Sequence, residues 1–351
     1  MRICMMNDTF WRSGGVAIVI KRVSQALTDV DYCVACCKYD GRPEDLSWIP
    51  DGRFERFDLT SSNNPIRLTR ELRRFRKWFK HQRCDLVHCH HRKISVLLRL
   101  AGVPVLYTGH MAFRRVAWFR WLHPRRMTAV SASVAANILE NTGRKVLACI
   151  GEPAEFPPMP PQIEVSRVQR KAVCIARFET VKGHTHLLTA WKLLRDRGHH
   201  YELDLVGEGS LRQEMEAQVK KDGTDELIRF CGFTTDVSSF TCNALFAILV
   251  SEVEGKPLAA MEAAALGRPT LLTAVPGSID VLPPERKLRN GLKFGDANEL
   301  ADALEEWFAH PQAVVEEGKR FFDFLNESHA PHRIASEYKN IYRQILPELI
   351  S

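Results

Sequence analysis

The segment GEPAEFPPMPPQ, Gly151–Gln162, carries five prolines in twelve residues. Proline at that density blocks both helix and central strand, because its ring fixes φ and its nitrogen carries no hydrogen. On both sides of this segment, short apolar strand patterns alternate with amphipathic helix patterns, which predicts parallel sheets covered by helices. We therefore predict an α/β protein with two Rossmann-like domains, whose ligands bind beyond the carboxyl ends of the strands.

The predicted domain boundaries follow this break in the pattern, and a length of 351 residues suits two domains. We expect an N-terminal domain over residues 1–150, a proline-rich linker over residues 151–165 and a C-terminal domain over residues 166–330. The pattern of residues 331–351 predicts a final helix. This helix either stays with the C-terminal domain or returns to the N-terminal domain. Two such domains with their parallel sheets facing one another would enclose a cleft.

The charge is distributed unevenly along the chain. Residues 1–160 carry a net charge of +12, residues 161–351 carry −5, and residues 61–130 alone hold 16 basic and 2 acidic residues. A concentrated positive field favours an anionic partner, such as nucleic acid, a phosphorylated substrate or anionic lipid. The acidic second half argues against a protein that simply coats nucleic acid. No apolar run reaches the roughly 18 residues of a membrane span, and the first ten residues lack a signal core, so we predict a cytoplasmic protein.

The segment EGKPLAAMEAAALGRP, Glu254–Pro269, predicts a short helix with an anion site at its start. Pro257 suits the first turn of a helix, where its missing N–H costs nothing. The free N–H groups of that turn, and the positive end of the helix dipole, lie beside the preceding residues 254–256. Glu262 stands among alanines, where an unpaired buried carboxylate is costly, so a ligand role competes evenly with a solvated one.

Two loops between a strand and a helix predict phosphate contacts. In ARFETVKG, Ala176–Gly183, Arg177 and Lys182 together suit a diphosphate, although two surface cations are the simpler alternative. In RSGG, Gly14 and Gly15 permit close approach of the backbone to a phosphate, or form a simple turn.

Three patterns resemble cofactor sites but are incomplete. The stretch VGEGSLR has Arg212 where a dinucleotide fingerprint needs its third glycine, so the sequence does not support NAD binding. The cluster His88–His91 ends a strand, where neighbours point to opposite faces, and we expect no acidic partner beside it. Cys33 and Cys36 have no second pair at zinc spacing, and we expect the ten scattered cysteines to be reduced core residues.

The ordered set of motifs resembles the family-4 retaining glycosyltransferases of the GT-B fold. The first half contributes the glycine-rich loop, DLVHCHH, VPVLYTGH and MTAVSASV, and the second half ARFETVKG, LDLVGEGSLR, RFCGF and NGLKFGDANELADAL. Glu254 and Glu262 reproduce the family's spacing of two glutamates separated by seven residues. The chain departs from the family at IGEPAEF, Ile150–Phe156, where an Asn-Gly turn is common, and we interpret this as altered interdomain geometry with catalysis retained.

The resemblance implies a role for each candidate residue, with a nucleotide-sugar donor as substrate, no cofactor and no metal. Carboxylates would accept hydrogen bonds from hydroxyls, Glu254 from the transferred sugar and Glu262 from the ribose diol. Cations would neutralise the diphosphate leaving group in place of a metal. The implied catalytic residues are His110, Glu254, Arg177 and Lys182. The implied donor-binding residues are Gly14, Gly15, Arg177, Lys182, Glu254, Gly255, Lys256, Pro257, Leu258 and Glu262.

The spacing of the two glutamates bears on the mechanism. Eight residues of helix would separate Glu254 from Glu262 by roughly 12 Å. Retaining glycosidases hold their two carboxyl groups about 5–5.5 Å apart, so these glutamates do not form an acid and nucleophile pair. Retention of configuration is implied by the resemblance alone.

The basic first half of the chain bears on where the acceptor is bound. AFRRVAWFRWLHPRRM, Ala112–Met127, mixes large aromatics with five arginines, which suits an anionic membrane interface, and Pro65–Lys80 offers a second basic face. Core aromatics with solvated arginines are the alternative. We predict a peripheral enzyme on the inner face of the cytoplasmic membrane, acting on a lipid-linked or lipopolysaccharide-type glycan. The predicted membrane or acceptor residues are Arg114, Arg115, Trp118 and Trp121.

Three other functions stay open. A glycosyltransferase acting on a small soluble acceptor is the nearest, and an epimerase or hydrolase of nucleotide sugars with the same fold would need no acceptor. A nucleic-acid-binding protein is the most distant, because it leaves Glu254 and Glu262 without a role.

Overall fold

The computed structural model describes residues 1–10, 15–39, 41, 43–61, 64–112, 122–168, 170–285 and 291–347. The chain forms two compact units. The first unit comprises Met1–Pro153 together with Pro331–Ser351, and the second comprises Ala154–Ala330.

The first unit is a seven-stranded parallel sheet covered by helices. Its strands are β1 (Arg2–Phe10), β2 (Asp31–Tyr39), β3 (Phe54–Arg56), β4 (Leu86–Cys89), β5 (Val105–Gly109), β6 (Arg126–Ala129) and β7 (Ala148–Cys149). They are arranged in the order β3-β2-β1-β4-β5-β6-β7. Its helices before the linker are α1 (Gly15–Ala26), α2 (Pro65–His81), α3 (Arg92–Leu100) and α4 (Ala132–Thr142), and a 3₁₀ turn covers Pro43–Leu46.

Local chemistry sets where the helices of this unit begin and end. The side chain of Asn64 accepts hydrogen bonds from the backbone N–H groups of Ile66 and Arg67 and so caps α2, with Pro65 as its first residue. Ser131 caps α4 in the same way, and Gly143, with φ +71°, ends that helix in the left-handed region. The polar residues between the apolar runs therefore fix the boundaries that periodicity alone leaves open.

The second unit is a five-stranded parallel sheet. Its strands are β8 (Lys171–Ile175), β9 (Glu202–Val206), β10 (Ile228–Gly232), β11 (Phe246–Leu249) and β12 (Thr270–Leu272), in the order β10-β9-β8-β11-β12. Its helices are α5 (Val165–Val168), α6 (His184–Asp196), α7 (Arg212–Lys221), α8 (Val237–Cys242), α9 (Leu258–Ala265), α10 (Ala297–Ala309) and α11 (Pro311–His329), with 3₁₀ turns at Thr180–Lys182 and Ile279–Val281.

The last helix, α12 (Pro331–Ile345), belongs to the first unit and packs against α1. Tyr338 and Tyr342 of this helix are 1% and 0% exposed. The Tyr342 hydroxyl forms a 2.6 Å hydrogen bond with Nδ1 of His88 at the end of β4. The C-terminal segment therefore completes the core of a sheet whose strands all precede residue 153.

Strands and helices alternate on both sides of the proline-rich segment, as predicted, and several short elements were missed. The strands β3 and β7 span three and two residues, which is too short for a periodic pattern. Among the cysteines, Cys4, Cys33, Cys36, Cys37, Cys89 and Cys174 are buried and no disulfide forms. Their pKa values are raised, chiefly by burial for Cys4, Cys36 and Cys174.

Candidate active site

The loop that follows β8 is folded tightly onto the end of β11. Residues Thr180–Lys182 form a 3₁₀ turn, and Gly183, with φ +69°, ends that turn and starts α6. A Cβ atom at Gly183 would lie 2.1 Å from the carbonyl oxygen of Val250, so only glycine fits there. The N–H of Glu252 also donates to the carbonyl of Val181 over 2.8 Å. The segment that follows β11 is thereby held against this loop.

This packing brings together two of the predicted site residues. The Lys182 Nζ lies 2.6 Å from Glu254 Oε1, and the two side chains are only 19% and 10% exposed. Gly277, with φ +90°, backs the turn at Glu254, because a Cβ there would lie 2.4 Å from the carbonyl oxygens of Glu254 and Gly255. A cation and a carboxylate thus meet where strands β8 and β11 end, which is the edge of a parallel sheet where ligands bind.

Arg177 lies in the same loop but is much more exposed. Its Nη1 lies 2.5 Å from Glu179 Oε1, and 61% of its side chain is accessible to solvent. The neighbouring Phe178 is fully buried and packs edge-on against the ring of His184, 5.1 Å away. Phe178 therefore fixes the backbone of the loop while Arg177 projects into solvent, where a planar guanidinium is available to a phosphate.

His184, the first residue of α6, supports the loop from beneath. It is 1% exposed, and Nε2 lies 3.9 Å from the Sγ of Cys174. Burial, helped by the nearby charge of Lys182, lowers the pKa of His184 to about 4. The imidazole is neutral at pH 7, so the positive charge of this loop resides on Arg177 and Lys182.

The helix α9 begins at Leu258, as the sequence predicts. Pro257 is its N-cap and not a residue of its first turn, and no side chain caps the helix. The carbonyl of Pro257 accepts hydrogen bonds from the N–H groups of Ala260 and Met261 over 3.2 and 3.3 Å. The N–H groups of Leu258 and Ala259, which precede these bonds, are the donors that this helix N-terminus can present to an anion.

Glu262 is the fifth residue of α9 and is half-buried among fully buried apolar neighbours. Residues 254–257 are not helical, so only the second half of the interval between the two glutamates has helical rise. The expected separation of roughly 12 Å between Glu254 and Glu262 was calculated for eight helical residues, and that assumption is wrong. Gly255 is buried, while Lys256 and Leu258 are half-buried in the same stretch.

In the first unit, His110 lies in a chain of buried polar groups. Its Nδ1 is 2.7 Å from Glu152 Oε1, and its Nε2 is 2.8 Å from Nδ1 of His90. His110 and Glu152 are 8% and 4% exposed. His90, His110 and Glu152 each follow the end of a strand of one parallel sheet, which explains why residues so distant in sequence meet.

The strand before His90 carries a second buried histidine. Nε2 of His88 forms a 2.7 Å hydrogen bond with Thr108 Oγ1, and its ring lies 4.2 Å from that of His90. Burial lowers the pKa of His88 to about 3, and the nearby His110 contributes. The expectation that no acidic partner lies beside this cluster is wrong, because Glu152 is joined to it through His110. Over the described residues, no group of His, Cys, Asp or Glu is arranged to hold a metal ion.

Comparison with known proteins identifies the family. The model described as "Glycosyltransferase Family 4" matches residues 13–148, and the model described as "Glycosyl transferases group 1" matches residues 169–310. The chain is a glycosyltransferase of the family 4 type.

The glycosyltransferase is similar to proteins of known sequence and structure. It is 25% identical over 293 residues to EpsD of Bacillus subtilis (strain 168), which is named as a glycosyltransferase, covering 72% of this chain and 76% of EpsD. The crystal structure of Anabaena Alr3699/HepE in complex with UDP superposes with a TM-score of 0.81 at 15% identity, covering 98% of this chain and 100% of that one.

The apo form of the lipopolysaccharide outer core galactosyltransferase WaaB superposes with a TM-score of 0.70 at 16% identity, covering 98% of this chain and 100% of WaaB. Together with the two parallel sheets, these similarities show the GT-B fold and confirm the predicted fold class.

Not every predicted site residue of the glycosyltransferase can be placed. Gly15 is the first residue of α1 and is half-buried. Gly14, Arg114, Arg115, Trp118 and Trp121 lie outside the described residues. Within the described parts of the chain, no helix combines the length and the apolar character needed to cross a bilayer.

Sequence reasoning missed Glu152, Phe178, His184 and Gly277. The glycine pattern alone could have indicated Gly277, since PGS after a short strand predicts a tight turn. The other three are recognisable only by their burial and partners, which local spacing does not reveal.

Proposed function

We propose that this glycosyltransferase transfers a sugar from a nucleoside diphosphate sugar to an acceptor hydroxyl, with retention of configuration and without a metal. The observation that carries the proposal is the Lys182–Glu254 contact of 2.6 Å at the end of a parallel sheet, next to Gly183, where no larger residue fits against Val250. A carboxylate that accepts from sugar hydroxyls stands beside an ammonium that stabilises a departing diphosphate. One small region thus supplies both functions that transfer requires.

The remaining groups extend this site. Arg177 is exposed in the same loop and supplies a second cation to the diphosphate, which replaces a metal ion in neutralising the leaving group. The N-terminus of α9 offers backbone donors beside Glu254, and Glu262 accepts from the ribose hydroxyls of the nucleotide. Because the solved structure of HepE contains UDP, uridine diphosphate is the first nucleotide to test.

We expect UDP to raise the melting temperature of the native enzyme, because a ligand that binds only the folded state stabilises it. At about 100 times the dissociation constant the gain is about 2.7 kcal/mol, which is a shift of several degrees. Arg177→Ala should reduce this shift. The matched control is Arg167→Ala, which removes another exposed arginine paired with a nearby glutamate. A screen of nucleoside diphosphates that leaves the melting temperature unchanged would contradict the donor assignment.

The acceptor proposal rests on the exposed face of α2. Four basic side chains recur on that face at helical spacing and form no ion pair with any described residue. Ile66, which is 79% exposed, begins the same stripe. Phe75 and Phe79, on the opposite face, are buried in the core of the first unit. An exposed cationic stripe with an apolar tip suits anionic lipid, so we propose a lipid-linked acceptor. The four basic residues are Arg70, Arg73, Lys77 and Lys80.

The similarity to WaaB, whose name refers to the lipopolysaccharide outer core, supports an acceptor of that type. The cytoplasmic face of the inner membrane is the proposed location, because nucleotide-sugar donor and anionic lipid surface are both available there. Transfer to a soluble sugar in the complete absence of lipid would favour a small acceptor instead. Release or epimerisation of the sugar from donor alone would identify the enzyme as a hydrolase or epimerase.

We expect neutralisation of the α2 stripe to weaken binding to anionic vesicles. Each basic residue near an anionic surface contributes about 1 kcal/mol, so Arg70→Gln, Arg73→Gln and Lys77→Gln together should lower partitioning about 100-fold. Flotation with phosphatidylglycerol vesicles measures it, and neutral phosphatidylcholine vesicles give the baseline. The control variant replaces three exposed lysines of the second unit, Lys220, Lys221 and Lys319. Equal recovery with both vesicle types, or equal binding by the α2 variant and the native enzyme, would refute the membrane proposal.

A further inference from the structure

Glu152 lies at a position where this chain departs from the family, and the structure shows what the departure does within the first unit. Glu152 precedes Pro153, which restricts it to an extended conformation. The carbonyl of Pro153 accepts a 3.2 Å hydrogen bond from Nη1 of Arg22 in α1. The segment is therefore held from outside, and the carboxylate of Glu152 points inward to His110.

The hydrogen bonds along this chain of groups fix the positions of the protons. A carboxylate only accepts, so Nδ1 of His110 carries the hydrogen that bonds to Glu152. Nε2 of His110 and Nδ1 of His90, 2.8 Å apart, then share one hydrogen. Burial lowers the pKa of His90 well below its usual range, with His88 and His110 adding to the effect, so His90 is neutral.

A neutral His90 carries one hydrogen, and the more stable arrangement places it on Nδ1. In that arrangement His90 donates to Nε2 of His110, and the partnerless Nε2 of His90 is an acceptor. The opposite arrangement would leave a buried N–H without a partner among the described residues, and an unmade hydrogen bond at a buried group is costly. Both nitrogens of His110 are thus used inside the protein, and neither is free for proton transfer.

We propose that Glu152 is a positioning residue for the transfer reaction, holding His110 in the Nδ1–H tautomer and in one ring orientation. This inference rests on the proposed function and on the catalytic role that the family resemblance implies for His110. His110 then acts through its fixed position and not as a general base, because Glu152 and His90 hold its ring from two sides. Glu152 itself touches no reacting atom in this scheme.

Removal of the carboxylate should change the tautomer before it changes the fold. In Glu152→Ala, Nδ1 of His110 loses its acceptor. Its hydrogen can then move to Nε2, which donates to Nδ1 of His90, while the His90 hydrogen moves from Nδ1 to Nε2. Either arrangement leaves one buried N–H without an acceptor among the described residues, so the preference for the Nδ1–H tautomer is lost. The ring is then free to tilt, and a misplacement of the order of 1 Å at a reacting centre lowers rates about 100-fold. In Glu152→Gln, the amide oxygen still accepts from Nδ1–H, so the tautomer and most of the activity are retained.

The experiment combines nitrogen NMR of histidine-labelled enzyme with kinetics of donor turnover. The His110 signals are assigned by their loss in His110→Gln. We expect protonated Nδ1 and unprotonated Nε2 in the native enzyme and in Glu152→Gln, and a mixture of the two tautomers in Glu152→Ala. We also expect kcat to fall about 10- to 100-fold in Glu152→Ala and less than about fivefold in Glu152→Gln, with the donor KM unchanged within about twofold.

The matched control is Asp204→Asn, which neutralises a buried carboxylate of the second unit that pairs with Arg229 over 2.7 Å. It should lower the melting temperature without affecting kcat. The proposal is overturned if His110 keeps its tautomer in Glu152→Ala, or if both Glu152 variants lose activity and melting temperature together. If the native enzyme turns over no nucleotide sugar, the proposed function fails, and the NMR result decides the role of Glu152 in fixing the tautomer by itself.

Discussion

Replacement of Lys182 by alanine is expected to lower kcat for sugar transfer about 100- to 1,000-fold, the usual cost of removing one preorganised group that stabilises transition-state charge. The negative charge on the diphosphate grows as the glycosidic bond breaks, so the loss should appear mainly in kcat. Lys182 is 2.6 Å from Glu254 in a largely buried pair, and its removal also leaves that carboxylate without its cation. Steady-state kinetics with the donor identified by thermal shift measures the effect.

The control for this variant is Lys192→Ala. Lys192 forms a surface pair of the same length with Asp196, and both side chains are 41% exposed. Such exposed pairs contribute little to stability, so activity and melting temperature should stay close to those of the native enzyme. If Lys182→Ala also keeps its kcat within twofold, the pair with Glu254 is structural and the catalytic assignment is wrong.

The variant Gly183→Ala is expected to destabilise the second unit by roughly 3 kcal/mol or more and to reduce activity at the same time. The new methyl group would lie 2.1 Å from the carbonyl oxygen of Val250, and it would meet backbone that cannot rotate away. The loop must therefore move off β11 and take Lys182 with it. Chemical denaturation measures the loss of stability, and donor turnover below the melting point measures the displacement.

A second glycine provides a control that separates the cost of a positive φ from the cost of atomic overlap. Gly198 also has a positive φ, +87°, at the end of α6, but a Cβ there would meet nothing within 4 Å. Gly198→Ala should cost only the roughly 1–2 kcal/mol of a left-handed alanine and leave kcat unchanged. Equal losses of stability in Gly183→Ala and Gly198→Ala would show that the overlap with Val250 adds nothing to the cost of the positive φ.

The sequence predicted the fold well because both sheets are built from apolar runs bounded by glycine, proline and charge. The helix α11 was missed although its apolar residues recur at helical spacing. Gly318 in its interior lowers helix propensity, and the structure shows the reason for it, since a Cβ at Gly318 would lie 2.0 Å from the carbonyl oxygen of Gly267. In the sequence alone, a glycine that close packing requires looks the same as a glycine that ends a helix.

The candidate site was predictable in part. The loop carrying Arg177 and Lys182 is contiguous, so its residue types could be recognised from spacing. The Lys182–Glu254 contact spans 72 residues and depends on which strands are neighbours in the sheet. Glu152 follows a strand of two residues, which leaves no periodic signal, so its approach to His110 was not foreseeable.

The return of α12 to the first unit has a consequence for how the protein is made. The ribosome completes the strands of the first sheet by Cys149, yet the tyrosines that close its core arrive only when Ile345 is in place. At about 5–20 residues per second, translation of the intervening stretch takes about 10–40 s. During that interval the apolar core of the nascent first unit is exposed on the side that α12 later covers. Binding by chaperones and truncation by premature stop codons should therefore affect the first unit more than the second, which is continuous in sequence.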